Sequence, residues 1–289
     1  MKRAVTTLLG AALVAFATAA MSGPLEDALT IYQRGDYAVA RKQLQPLADK
    51  GDARAQFTLG LLYRDGKGVP QNPTVAFGWF RKSANQGNPD AEDLVGDMYA
   101  SGQGVAADQA AAVIWTRKAA EQGNVIAQYR LGIAYVDGKG VTQDDARAVT
   151  WFRKAAAQGN TDAQFWLGLS YEQAAGVAQD YVAAVSWYRK SAERGNGLAQ
   201  YALGLMYFKG HGVAWDLVQA HQWFELSAAR DSDMRVDASE MRAKTETQMT
   251  PAQVAEAQKL AHDWKPKRLS DPPKEANQMP PAQKAVTVQ

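Results

Sequence analysis

Glycines at positions 51, 87, 123, 159 and 195 fall 36 residues apart, and whole segments recur with them. In register, the chain repeats Gly-[Asp/Asn]-x-x-Ala, then Leu/Val-Gly-x-x-Tyr, a turn ending Gly-Val, and Trp-[aromatic/Thr]-Arg-Lys-[Ser/Ala]-Ala. A period between about 20 and 50 residues marks a solenoid, in which each unit packs on its neighbours. This one feature decides the fold class before any local argument. It also favours functions that hold a partner over functions that make or break bonds.

The unit from Gly123 to Gln158 shows how a repeat folds. Asn124 stands at a helix N-cap, where its side chain can accept a backbone N–H of the first turn. Ala127, Leu131 and Tyr135 then recur every four residues and share one helix face. Asp137-Gly138-Lys139-Gly140-Val141 stops that helix, because glycine tolerates the left-handed conformation of a C-terminal cap. Asp144 caps a second helix with Ala148, Trp151, Phe152 and Ala155 as its apolar stripe. Each repeat is therefore an antiparallel helix hairpin, and stacking covers the stripes. A glycine inside a helix costs about 0.5–1 kcal/mol against alanine. Gly60, Gly96, Gly132, Gly168 and Gly204 all accept it, so close approach by a partner helix is expected there. Trp79, Trp115, Trp151, Trp187 and Trp223 are expected in the core: five exposed indoles would exceed the few hundred Å² of apolar patch that a soluble monomer tolerates.

Lys2 and Arg3 precede an apolar run from Leu8 to Ala20, and Ala17-Thr18-Ala19 offers a cleavage site near Ala19 or Ala20. The run is shorter than the ~20 apolar residues of a spanning helix. With no cysteine in the chain, this suggests an exported, periplasmic or secreted protein without membrane insertion. The formal charge is +2, to which Lys2, Arg3 and residues 265–289 contribute strongly. The remaining portion is mildly acidic, which argues against a nucleic-acid partner. The expected organisation is a signal peptide over 1–20 and a shortened repeat over 25–50. Five full repeats over 51–230, capping helices over 231–264 and a disordered Pro-rich tail over 265–289 follow.

The motif Ala-x-x-x-Leu-Gly-x-x-Tyr, Gly-x-Gly-Val, Ala-x-x-Trp-[Phe/Tyr]-Arg-Lys-[Ala/Ser]-Ala-x-Gln-Gly is met almost fully in residues 51–86 and 123–158. It resembles the Sel-one-like repeat (SLR) family, a relative of tetratricopeptide repeats, over residues 25–264. The resemblance implies an all-α, right-handed α/α superhelical solenoid that works as an adaptor or scaffold. A cysteine-rich branch of the family is linked to β-lactam binding or hydrolysis; this chain has no cysteine, so that chemistry is not carried over. Two departures stand out. The fourth repeat has Gln173-Ala174-Ala175-Gly176-Val177, without the first turn glycine, which predicts an altered loop. The second has Glu92-Asp93 where an aromatic usually follows Ala-Gln.

No catalytic or metal-binding constellation is legible, and no cofactor is implied. His211, His221 and His262 match no zinc spacing and are expected to be solvated. Asp65-Gly66-Lys67-Gly68 fails the P-loop pattern, and no G-x-S-x-G is present. The repeated Arg-Lys pairs suit helix C-termini, where positive charge complements the macrodipole.

Partner contacts are expected where copies differ, on the first-helix face opposite the apolar stripe. That face holds Asp90, Asp93 and Asp97, then Ile126 and Arg130, Asp162 and Trp166, and Leu198. The three carboxylates read first as a solvated acidic face, with a basic partner as the alternative. Trp166 is either a binding anchor or packed against the next hairpin, and Arg130 is a polar clamp beside it. The reading is a non-catalytic scaffold that holds a protein or peptide segment. Two alternatives stay open: binding of cell-wall glycan, and an envelope hydrolase or regulator acting on cell-wall or β-lactam compounds.

Overall fold

A computed structural model describes residues 23–268 apart from 231–232. The proposed signal peptide and residues 269–289 of the proposed tail lie outside them. Among the described residues there are fourteen α-helices and no strand, an all-α repeat solenoid. They fall in two compact units, Met1–Gln86 and Gly87–Gln289.

The first unit holds α1 (Pro24–Gln33), α2 (Tyr37–Asp49), α3 (Ala53–Asp65) and α4 (Pro73–Ala84). Ala28, Ala40, Leu44, Leu59 and Leu62 form its core. The second begins with the hairpins α5 (Pro89–Ser101)/α6 (Gln109–Glu121) and α7 (Val125–Asp137)/α8 (Asp145–Ala157). It continues with α9 (Thr161–Gln173)/α10 (Tyr181–Ala192) and α11 (Gly197–Lys209)/α12 (Leu217–Arg230). Two further helices, α13 (Arg235–Glu246) and α14 (Pro251–Asp263), pack on α12.

The caps work as the sequence predicts. Asn124 Oδ1 accepts from the Ala127 N–H at 2.9 Å, and Asp144 Oδ1 accepts from the Arg147 N–H at 3.0 Å. At the last helix Thr250 and Gln253 make a reciprocal capping box. Gly138 closes α7 in the left-handed region at φ 66°. The fourth turn is not altered as expected: Ala174 adopts φ 60° and ψ 29°, and its N–H reaches the Ser170 carbonyl. The hairpin keeps its geometry and places an alanine in a conformation that favours glycine.

The glycines within the first helices are there for close approach. A methyl on Gly132 would collide with the Phe152 ring, and one on Gly168 with the Tyr188 ring. That ring, from the residue after the repeated Trp, seats on the first helix of its own hairpin. It also meets a second aromatic there, as in Tyr129–Phe152 (6.2 Å between centroids) and Phe165–Tyr188 (5.8 Å).

Two expectations, on the repeated tryptophans and on His221, are corrected by burial and contacts, while the lysines of the Arg-Lys pairs stand in the last turns of their helices as expected and also do more. Only Trp223 of the repeated indoles is buried. Trp79, Trp115, Trp151 and Trp187 are half-buried, each with the ammonium of the lysine three residues on over its ring at 4.0–4.2 Å. The lysines of the Arg-Lys pairs therefore cover indole faces, and Arg153 and Arg189 donate to the Tyr171 and Tyr207 hydroxyls. Last, His221 is fully buried, not solvated. Its Nε2 lies 2.8 Å from Oε1 of the partly exposed Glu246, so α13 is latched to α12 through a polar contact.

Candidate functional site

One repeat breaks the aromatic rule at both ends of the same contact. Where other hairpins pair Tyr129 with Phe152 or Tyr201 with Phe224, α5 and α6 offer Asp93 and Thr116. Gly96 packs against Thr116 and the α6 backbone instead of a ring. Between α5, α6 and α7 a cleft of about 220 Å³ opens. Gly96, Val113 and Thr116 lie at one end, Ala100, Ala112, Ile133 and Ala134 form apolar walls, and Asp97, Gln109, Arg130, Asp137 and Lys139 supply polar groups.

Arg130 organises the charges. Its Nη1 donates to Asp93 Oδ2 at 2.8 Å, and its Nη2 stands 3.2 Å from Asp97 Oδ1. The Asp93 side chain is 7 % exposed, and its Oδ1 is buried without a hydrogen-bond partner. Burial holds the Asp93 carboxyl above the usual carboxylate range against the pull of Arg130, and Asp97 and Asp90 push it the same way. Next to it, Glu92 replaces the repeated glutamine and accepts from Gln122 Nε2 at 2.6 Å. Burial raises its carboxyl too, with that hydrogen bond opposing. On the far rim Lys139 Nζ pairs with Asp137 Oδ2 at 2.7 Å.

A second cleft of about 200 Å³ occupies the same place one repeat later. Trp166 stands where Arg130 stood, Leu169 where Ile133 stood and Asp145 where Gln109 stood. Here Phe152 is present, and Trp166 stacks on it with centroids 5.7 Å apart and planes 17° from parallel. The counterparts of Gly96, Val113 and Thr116 do not line this cleft. Burial raises the pKa of the Tyr129 hydroxyl, and the neighbouring Trp166 opposes that shift. Trp166 is half-buried: it serves the packing and lines the cleft at once.

The predicted site residues thus separate into three groups. Asp93, Asp97 and Arg130 come together at the first cleft, and Trp166 lines the second. Asp90 and Asp162 are spent on the fold: Asp90 accepts from Asn124 Nδ2, and Asp162 from Asn196 Nδ2, each at 2.8 Å. Ile126 and Leu198 are exposed and line neither cleft. Thr116, Val113 and Lys139 escaped the sequence reading. The signal for Thr116 lay in its register, because position 116 follows 93 at the same interval as 152 follows 129.

Sel1 repeat models match residues 53–88, 89–124, 125–160, 161–196 and 197–232. The chain belongs to the Sel1 repeat family. A Sel1 repeat protein from Oxalobacter formigenes is 34 % identical, with 73 % of this chain and 88 % of that chain covered and a TM-score of 0.69. A protective antigen of uropathogenic Escherichia coli displaying an SLR fold is 30 % identical over 83 % of this chain and 68 % of that one, at a TM-score of 0.41. A putative Sel1 repeat protein from Klebsiella pneumoniae subsp. pneumoniae is 26 % identical over 71 % and 99 %, at 0.44. No curated protein matches the sequence. Sel1 repeat proteins generally mediate protein–protein interaction and are typically non-catalytic. Among the described residues, no group of His, Cys, Asp and Glu is arranged to hold a metal ion, and no helix is long and apolar enough to cross a membrane.

Proposed function

We propose that this Sel1 repeat protein is a non-catalytic scaffold of the bacterial periplasm that holds a segment of a partner protein across its first-helix face. The observation that carries this reading is the pair of clefts in register, one repeat apart, with different chemistry in equivalent walls. A partial burial pocket of about 200 Å³ is below the ~300–1,000 Å³ typical of small-molecule sites, and its size suits a single side chain. Glycan binding draws less support, since lysine ammoniums already occupy the indole faces that sugars would stack on. The leader over residues 1–20 is the ground for the compartment.

Site-specific photocrosslinking tests the proposal. Benzoylphenylalanine at Ala100, an exposed residue on the first cleft, is compared in living cells with the same probe at exposed Val236 on α13. The expected outcome is a discrete protein adduct from Ala100 only. Equal adducts from both positions, or none from Ala100, would refute a scaffold that works through this face.

A further inference from the structure

The first cleft is defined by two departures that coincide in space, and its charges do not balance. Two cations in its lining, Arg130 and Lys139, meet two carboxylates there, Asp97 and Asp137, and a third, Asp93, that Arg130 also holds. Arg130 is committed to Asp93, because a buried carboxylate must be paired, and this leaves the longer 3.2 Å contact for Asp97. Lys139 is committed to Asp137, and Asp90 is held by Asn124. Asp97 is therefore the half-neutralised group. It is also anomalous in the repeat, since the same position carries Leu61, Ile133, Leu169 and Leu205 elsewhere. Its side chain is 48 % exposed and stands at the end of an apolar trough made by Ala100, Ala112, Val113 and Ile133. A long aliphatic stem with a cationic head fits such a trough: the stem covers apolar surface while the head stays at the carboxylate and in water.

Resting on the scaffold reading, we infer that the first cleft takes a lysine or arginine side chain from an extended partner segment, while the second cleft takes an apolar side chain of the same segment. The second cleft offers Val136, Ala148, Trp166 and Leu169 as its apolar groups, with Gln143, Asp145, Ser170 and Gln173 around them, and its counterpart of Asp97 is the apolar Ile133. Packed helices lie about 8–10 Å apart, and an extended chain advances about 3.1–3.4 Å per residue. The two anchors are accordingly about three residues apart.

Fluorescence anisotropy with the mature chain tests this. The probes are fluorescein-labelled Gly/Ser-rich peptides of both orders, Lys-x-x-Leu and Leu-x-x-Lys, and matched peptides with glutamate in place of lysine. One lysine peptide is expected to bind at least tenfold more tightly than its glutamate counterpart. Asp97→Asn should remove most of that preference. Thr116→Phe should weaken the lysine peptide by filling the cleft, with far-UV circular dichroism verifying the fold. Equal or tighter binding of the glutamate peptide, a preference that survives Asp97→Asn, or no detectable binding of either lysine peptide overturns the inference. An Ala100 crosslink to a partner segment without a basic residue would refute the basic anchor and leave the scaffold standing. Lysine-peptide selectivity without any cellular protein adduct would refute the scaffold and leave the cleft's preference for cations.

Discussion

Ala174 gives the sharpest test of how this repeat tolerates departure from its pattern. Four other hairpins end their first helix with Gly66, Gly102, Gly138 and Gly210 at φ between 66° and 72°; the fourth repeat ends with Ala174 at φ 60°. An L-residue in the left-handed region costs about 1–2 kcal/mol. Glycine returns about 0.4–1 kcal/mol of that through the greater freedom of its unfolded chain. Ala174→Gly should therefore stabilise the protein by about 0.5–1 kcal/mol, the difference of those two figures. For a chain of this size that is about 1–4 °C in melting temperature. The mirror substitution, Gly138→Ala, should cost a similar amount, because its added methyl would meet Gln143 Cβ only at an ordinary 3.4 Å and the backbone conformation alone is penalised. Urea melts followed by circular dichroism on both variants give the comparison. A lower midpoint for Ala174→Gly, or two variants that both melt with the parent, would show that the turn is set by its surroundings and that the argument from backbone strain is wrong.

Four other substitutions probe the packing and the cleft. Gly132→Ala drives a methyl into the Phe152 ring and should cost about 1–3 kcal/mol in the same melts; an unchanged midpoint would mean the ring moves aside freely. Trp166→Ala removes a stacked indole from Phe152, so a loss of about 2–3 kcal/mol is expected, and wild-type stability would reassign Trp166 to partner contact alone. His221→Ala leaves Glu246 without its buried partner; about 1–3 kcal/mol should be lost, with faster amide exchange in α13, and unchanged protection there would refute the latch. For Asp93→Asn the sign follows from burial. A carboxyl whose folded pKa is raised contributes stability below its unfolded value and loses it as pH rises through the folded one. The asparagine variant should thus melt at or above the parent at pH 7, with the gap closing as pH falls toward about 3.9; a lower melt at pH 7 would mean that pairing with Arg130 outweighs burial.

Whatever recurs with the period was legible in the sequence, because each recurrence samples the same physical constraint. Gly123, Asn124, Leu131 and Gly138 located the cap, stripe and stop of α7 without further help. Depth was harder. Recurrence shows that Trp151 has a fixed role, yet Lys154 covers it from outside and keeps it half-buried, and a stripe read at helical spacing does not distinguish a core wall from its rim. His221 has no counterpart in other copies, and its burial depends on α13, which lies beyond the periodic segment. The cleft was half legible. Asp93 was visible as a departure, but its meaning needed Thr116, and only a contact such as Tyr129–Phe152 shows that the two positions face each other. Trp166 divided between packing and exposure for the same reason: both of its faces are used.

The asparagine straps are not uniform along the array. Asp90 ties the cap of α7, and Asp162 ties the cap of α11, but between them the equivalent residue is Ile126, which offers the cap of α9 no acceptor. That joint is held by other means: Trp166 of α9 stacks on Phe152 of α8, and Arg153 reaches the Tyr171 hydroxyl. An aromatic contact thus stands in for a polar strap at one joint, so salt and pH, which act on the Asp90 and Asp162 straps, should leave the α8/α9 joint the least affected of the three.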